Sequence, residues 1–374
     1  MAEVRLENVS KLFGRKRVIS DVSFACREGE FLTIFGPTGA GKSTILKMIA
    51  GIETVSEGKI YFNEKVVNDL PPQERNVSMA FESYNLYPHM SVYENIAFPL
   101  RAPRWGLKLS KEEERKKVCE IAEFLGIDQL LERLPQHLSG GQKQRVSLGR
   151  ALVRQPEVFL LDEPIAHLDA RLKFSTQTLL KEFAKNYRST IIYVTHDYRE
   201  ALALSDRVIL LRRGRVEQEG TPKEVYYTPV SDFAGRMVGD PPMNLLDGEV
   251  QERDGEVFFK IGDSLSIKVR NELIPSLKAA MRDEDGKKIV RMGIRCEHIK
   301  MSREKMSEDS FQLPVYAVVS EAQSILVSFH LDNDVIFHAR SMQQAVYDYN
   351  VHDKIWLEFD QNHMFFFPKT IELT

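Results

Sequence analysis

Hydrophobic and polar positions divide this chain into two textures that change near residue 237. In the first, Phe31–Phe35, Val158–Leu161 and Ile191–Val194 are apolar runs without alternation, as expected of parallel strands buried on both faces. Val4–Val9, Val18–Phe24, Gly58–Phe62 and Val77–Phe81 read as further strands, the first two joined by a turn over residues 11–17. Helical spacing follows Ser43 and dominates residues 110–155, and Arg207–Leu211 and Arg215–Gln218 form a hairpin around Gly214. Lys223–Tyr227 and Asp232–Val238 read as short helices. Beyond Val238, alternating segments such as Val257–Ile261, Ile289–Ile294, Ile325–His330 and Ile355–Phe359 lie between Gly, Asp and Asn turns. They predict a small all-β domain, a barrel in form, with Phe365–Phe367 as strand core. The expected division is residues 1–237 and 238–374, with a helical subdomain at about 85–155.

One stretch carries the clearest chemistry. Phe31–Phe35 runs into Gly36-Pro-Thr38-Gly39-Ala40-Gly41-Lys42-Ser43-Thr44, a buried strand followed by a glycine-rich turn and a helix. Glycines at 36, 39 and 41 let successive N–H groups face phosphate oxygens, and Lys42 adds a positive charge. The helix dipole points the same way, and Ser43 can offer its hydroxyl to Mg²⁺. A second helix start built for an anion stands at Leu138-Ser139-Gly140-Gly141-Gln142, where Ser139 can cap and two glycines expose N–H groups.

Acids follow the second buried run, and a histidine follows the third. Asp162 and Glu163 sit where a parallel strand opens into the ligand crevice, Asp162 suited to Mg²⁺ and Glu163 to polarising a water. His196 leaves the third run where a γ-phosphate would lie. Phe13 is either an adenine-stacking platform or packing, and its place ahead of the phosphate loop favours stacking. Tyr84–Asn95, aromatic and aperiodic, is either a contact surface for another protein or a loop folded into its own core.

Composition narrows the setting. With 374 residues and a formal net charge of −3, the chain has no global charge suited to nucleic acid or an anionic membrane. The runs Arg15–Arg17 and Lys111–Lys117 read as solvated surface. Cys26, Cys119 and Cys296 stand far apart and form no CxxC pair, so they give neither a disulfide framework nor a zinc site. The N-terminus is charged where a signal peptide is apolar, and no apolar run reaches spanning length.

Together these residues resemble the ABC-type ATPases: Gly36–Thr44, Leu138–Gln142, Val158–Glu163, the loop ending in Leu168-Asp169, and His196 stand in that family's order and spacing. Tyr84–Asn95 is similar to the SYALYPHMTVYENI stretch of ATPases serving maltose-type carbohydrate importers. Gly220–Tyr226, Gly239–Asn244 and Met292–Ile299 look like further marks of that branch, Cys296 replacing a proline in the last. The resemblance implies an α/β P-loop NTPase core of RecA type with antiparallel β and helical subdomains, followed by an OB-like regulatory domain.

It also implies a cycle and a setting. Two subunits sandwich two ATPs, each lying between Phe13, the Gly36–Thr44 loop and Mg²⁺ held by Ser43, Glu82 and Asp162 on one chain, and Ser139, Gly140, Gly141, Gln142 and Asp169 on the other. Glu163 and His196 would carry hydrolysis. Tyr84–Asn95 would meet two membrane permease subunits served by an extracytoplasmic solute-binding protein, the ATPase lying on the inner face of a bacterial membrane. Two residues depart from the family: Glu82 where glutamine is usual, and Ala166 where serine is common. They leave open a partly degenerate member of a heterodimer; a soluble ABC ATPase without a transport role is the other alternative.

Overall fold

In this computed structural model, which describes residues 1–262, 265–284, 286–321, 323–331, 335–342 and 349–369, the chain forms two compact units, Met1–Thr228 and Pro229–Thr374. The division falls before the expected boundary because helix Asp232–Met237 packs with the second unit. Arg291 pairs there with Asp232 at 2.8 Å and Asp247 at 2.6 Å, and Gly235 lies against Met243.

The first unit is built on a six-stranded sheet in the order 215–220, 207–212, 31–35, 191–195, 158–162, 77–80, parallel except for its first pair. Every residue of Phe31–Phe35, Val158–Asp162 and Ile191–Thr195 is buried, which accounts for their unbroken apolar pattern. Helix Lys42–Ala50 lays Ile45, Leu46, Met48 and Ile49 into a core shared with Leu32, Ile34, Leu160 and Val194. At roughly 1.5–3 kcal/mol for each such side chain, this burial sets the helix against the sheet. A four-stranded antiparallel sheet, ordered 16–26, 4–13, 57–62, 65–66, completes the β part. Helices Val92–Ala97, Lys111–Phe124 and Gly140–Leu152 share the Val92, Ile96, Val118, Val146 and Leu148 core.

The opening hairpin is longer than its sequence pattern suggests. Its strands are Val4–Phe13 and Lys16–Cys26, paired out to Phe13 opposite Lys16, so residues 11–13 are strand rather than turn. Register shifts between Leu6 and Leu12, with Asn8 at φ 50°, interrupt the alternation without ending the pairing.

The second unit holds a sheet ordered 265–268, 256–261, 244–253, 287–294, 282–284, with Phe365–Phe367 added to the fourth strand. Its other sheet is ordered 299–302, 354–359, 311–320, 325–331, 335–341. Both sheets bury side chains in one core around Phe259, Val290, Phe329, Phe337 and Leu357. The unit is not purely β: besides Asp232–Met237, helix Ile274–Ala280 turns Leu277 and Ala280 inward, with Pro275 suited to its first turn. Phe366 and Phe367 are buried, as expected for strand core.

Candidate active site

Sheet order assembles this site. Strand 31–35 lies beside 191–195, which lies beside 158–162, so the chain leaves three neighbouring strands at Gly36, His196 and Glu163 on one edge. Gly36 admits no side chain, since a Cβ would collide with the Leu211 carbonyl oxygen. Gly41 caps the following helix in the left-handed region at φ 103°, where a Cβ would also strike Ile19. Thr38 and Gly39 are exposed at the tip, Ala40 is buried, and Ser43 and Thr44 are half-buried.

Lys42 is 5% exposed and turns its ammonium back on its own loop, donating to the Gly36 and Pro37 carbonyls at 2.9 and 3.0 Å. Burial lowers its pKa, opposed by the carboxylates of Glu163, Asp162 and Glu82. Ser43 Oγ donates to Asp162 Oδ1 at 2.9 Å. Burial raises the Asp162 pKa against that hydrogen bond, and the charges of Glu163 and Glu82 raise it further. Ser43 and Asp162 thus bring two hard oxygen donors together, the donor chemistry that suits Mg²⁺. Glu82 is exposed; its electrostatic influence on Lys42 and Asp162 places it in their neighbourhood, without a direct bond to either in the geometry above.

Glu163 sits at φ 47°, its N–H donating to the Val194 carbonyl at 3.0 Å and its Oε2 lying 2.7 Å from His196 Nδ1. With the proton on Nδ1, His196 donates to this carboxylate and leaves Nε2 as an acceptor. The pair therefore offers a carboxylate of fixed direction and a second proton-handling group at the mouth of the phosphate loop.

Gln144 went unassigned in the sequence reading. Its side chain, 2% exposed, donates to the Glu163 carbonyl at 3.1 Å and accepts from His167 N–H at 3.1 Å. The available signal was periodicity: Gln144 stands on the helix stripe of Ser147, Leu148 and Ala151, a polar residue where that stripe is otherwise buried core. Ser147 and Arg150 continue the work by donating to the Tyr84 carbonyl, both at 2.9 Å, and so hold the segment after Glu82.

The remaining expected residues occupy other surroundings. Ser139 and Gln142 form a capping box, with Ser139 N–H donating to Gln142 Oε1 at 2.9 Å and Gln142 N–H to Ser139 Oγ at 3.3 Å. Gly140 and Gly141 neighbour the Tyr84 hydroxyl and Leu168. Asp169 caps helix Ala170–Tyr187 by accepting Leu172 N–H at 3.0 Å. Phe13, 45% exposed at the hairpin tip, lies under the Lys11 ammonium at 4.8 Å, on the hairpin whose Val18 and Ile19 border Gly41. Within Tyr84–Asn95, Val92 and Asn95 are buried in the unit's own core, while Asn85, Pro88 and His89, like Glu82 and Ser83 just before it, are exposed.

A phosphate cradle with a serine–aspartate pair behind it and a glutamate–histidine pair at its mouth defines a P-loop nucleotide hydrolase. The model described as ABC transporter matches residues 19–166, and that described as MalK OB fold domain matches residues 239–299. The trehalose/maltose import ATP-binding protein MalK of Thermococcus litoralis is 47% identical over 69% of this chain and 70% of its own. The sulfoquinovosyl glycerol transport ATP-binding protein SmoE of Agrobacterium fabrum is 39% identical over 98% of both chains. Among solved structures, the dimeric bacterial ABC transporter cassette MJ0796 superposes with a TM-score of 0.55 at 33% identity, covering 59% of this chain and 98% of that one. The chain belongs to the ATP-binding subunits of ABC transporters, in the branch that energises carbohydrate import, and it is an ATPase.

Gln144→Leu is expected to lower kcat for ATP about tenfold with KM little changed, since it strands the Glu163 carbonyl and the His167 N–H without touching the phosphate loop. Steady-state kinetics checks this. A rise in KM at constant kcat would assign Gln144 to binding instead.

Proposed function

We propose that two copies of this chain close around two ATPs and hydrolyse them at composite sites, and that closure and reopening drive a pair of membrane permease subunits. The observation that carries this reading is the Glu163–His196 pair, 2.7 Å apart, beside the Gly36–Thr44 cradle. Lys42 would exchange its two loop carbonyls for β- and γ-phosphate oxygens, a step made easier because those carbonyls are weaker partners than an anion. Ser43, Asp162 and Glu82 would hold Mg²⁺, which when bound spreads the negative charge of the phosphates. Glu163 would take a proton from the attacking water, with His196 holding the carboxylate and the γ-phosphate in register.

Ser139, Gly140, Gly141 and Gln142 would face the nucleotide of the second copy, with Asp169 beside them. The capping box leaves the Ser139 hydroxyl hydrogen available to a phosphate while its oxygen accepts from Gln142 N–H. Such contacts exist only in the closed pair, so ATP shifts the population toward closure and hydrolysis reverses it. Phe13 would stack on adenine.

A cavity of about 700 Å³ lined by Met79, Phe81, Tyr87, Phe98, Trp105 and Arg150 adjoins the Tyr84–Asn95 segment and suits a short helix of a permease. Asn95 stiffens this wall, accepting from Tyr87 N–H and donating to the Tyr87, Met90 and Ser91 carbonyls at 2.9–3.1 Å. Among the described residues no helix is long and apolar enough to cross a membrane. A peripheral position on the cytoplasmic face, with an extracytoplasmic solute-binding protein delivering the sugar, completes this reading. The deciding experiment is ATP turnover against protein concentration. Specific activity that rises with concentration supports the homodimer; MgATP binding without turnover at any concentration points to a different second subunit.

Glu82→Gln is expected to weaken Mg²⁺ dependence several-fold and to move the acid limb of turnover to lower pH. The sign follows from Asp162: Glu82 helps raise its pKa, so removing that charge lets Asp162 ionise at lower pH. Mg²⁺ titrations at several pH values check both. Profiles coincident with wild type would remove Glu82 from the site.

A further inference from the structure

Two short turns of the second unit, Cys296–His298 and Gln361–His363, lie side by side because strands Ile299–Ser302 and Lys354–Phe359 pair with Ile299 opposite Phe359. Asp360 N–H donates to the His298 carbonyl at 2.9 Å and ties the turns together. The Asp360 carboxylate is itself placed, with Oδ1 accepting Asn362 N–H at 3.1 Å and Oδ2 lying 3.0 Å from His363 Nδ1. Above this pair the His298 and His363 rings stack with centroids 3.8 Å apart and 6° between planes. Ligand atoms of His298, Asp360 and His363 all fall within 4.8 Å of one another, and all three residues are half-buried, so an ion can enter from solvent.

We propose that His298, Asp360 and His363 form a binding site for a divalent transition metal of the zinc and cobalt type. Two imidazoles and one carboxylate match the borderline character of such ions, whereas Mg²⁺ and Ca²⁺ favour oxygen alone. Zinc completes three protein ligands with a water. The backbone bond between the turns and the cap on Asp360 hold the two turns and the carboxylate in place before binding, leaving only the imidazoles to reorient. Parallel rings aim their lone pairs side by side. Binding therefore tilts them until two nitrogens converge to about 3.3 Å, the separation set by zinc–nitrogen bonds at a tetrahedral centre. As the ion enters between His363 Nδ1 and Asp360, the ring takes the tautomer protonated on Nε2 by proton exchange with solvent, so that a neutral imidazole ligates through Nδ1. An ion bound there clips turn 296–298 to turn 361–363 and links two ends of the second unit's core.

The test is metal titration of the untagged, full-length, chelator-stripped chain. One equivalent of Co²⁺ is expected to give the visible bands of a tetrahedral nitrogen–oxygen site, and Zn²⁺ to displace it. His298→Asn and His363→Asn should each weaken Zn²⁺ at least about 100-fold, the upper end of what loss of even an outer partner causes. Asp360→Asn keeps an acceptor for the turn while removing the charge, and should weaken Zn²⁺ at least about tenfold. ATP binding and metal-free melting serve as folding controls, and Zn²⁺ should raise the melting temperature of the wild type alone. Zn²⁺ affinity in the folded H298N/H363N double variant equal to that of the wild type would overturn the site, as would the absence of Co²⁺ bands at one equivalent.

Discussion

Replacing Glu163 by glutamine is expected to lower ATP turnover by about 10²–10⁴-fold, the range general-base catalysis contributes, while ATP binding stays close to wild type. The substitution keeps the shape of the side chain and removes its basicity. The local backbone does not depend on the carboxylate, because Glu163 N–H is held by the Val194 carbonyl and its own carbonyl by Gln144. His196 keeps a partner in the amide oxygen, so the loss falls on proton transfer rather than on position. Slow hydrolysis also prolongs the closed state, and the variant should accumulate as an ATP-dependent dimer in size-exclusion chromatography. Near-normal turnover would remove Glu163 as the base; lost ATP binding would make its role structural.

Arg75→Met is expected to cost about 1–3 kcal/mol of the first unit's stability, an effect far from the reacting atoms. Arg75 is 3% exposed, and its guanidinium donates to the carbonyls of Met48, Ile49, Leu70 and Asn68 at 2.7, 3.0, 2.8 and 3.1 Å. Two of those carbonyls close the phosphate-loop helix, whose C-terminal dipole favours a cation. Methionine fills the stem and donates nothing; the Met48 carbonyl keeps the Gly51 N–H at 3.2 Å, while the Ile49, Leu70 and Asn68 carbonyls lose the guanidinium as a donor. Hydrogen exchange of the Lys42–Ala50 amides is the appropriate readout, because global unfolding of a two-unit chain is not a single transition. Arg75→Lys should recover only part of the loss, since an ammonium has three donors and no planar fork. Protection equal to wild type in the methionine variant would show that water replaces these hydrogen bonds.

Much of the first unit was legible along the chain. Strands 31–35, 158–162 and 191–195 declared themselves through continuous apolar runs, and the sequence marked the residues at their ends, Gly36, Asp162, Glu163 and His196, that the structure brings to one edge of the sheet. The hairpin was misjudged at residues 11–13 because its bulges break the alternation from which strand length is read. Helix Asp232–Met237 was recognised but assigned to the first unit, since its docking rests on an ion pair with Arg291, 59 residues away. In the second unit the strand pattern was visible, whereas helix Ile274–Ala280 was too short for a helical period to stand out.

By itself the sequence determined the features whose physics is local: the glycines at 36 and 41, the caps at Ser139 and Asp169, and the strands buried on both faces. Each depends on the backbone freedom, hydrogen-bonding reach or apolar run of a few consecutive residues. Only the tertiary structure decided which strand ends would be neighbours, and with that the meeting of Ser43 with Asp162 across 119 positions, of Gln144 with Glu163, and of His298 with Asp360 and His363. Strand order and register emerge from burial summed over a whole unit, and no short window of the chain contains that sum.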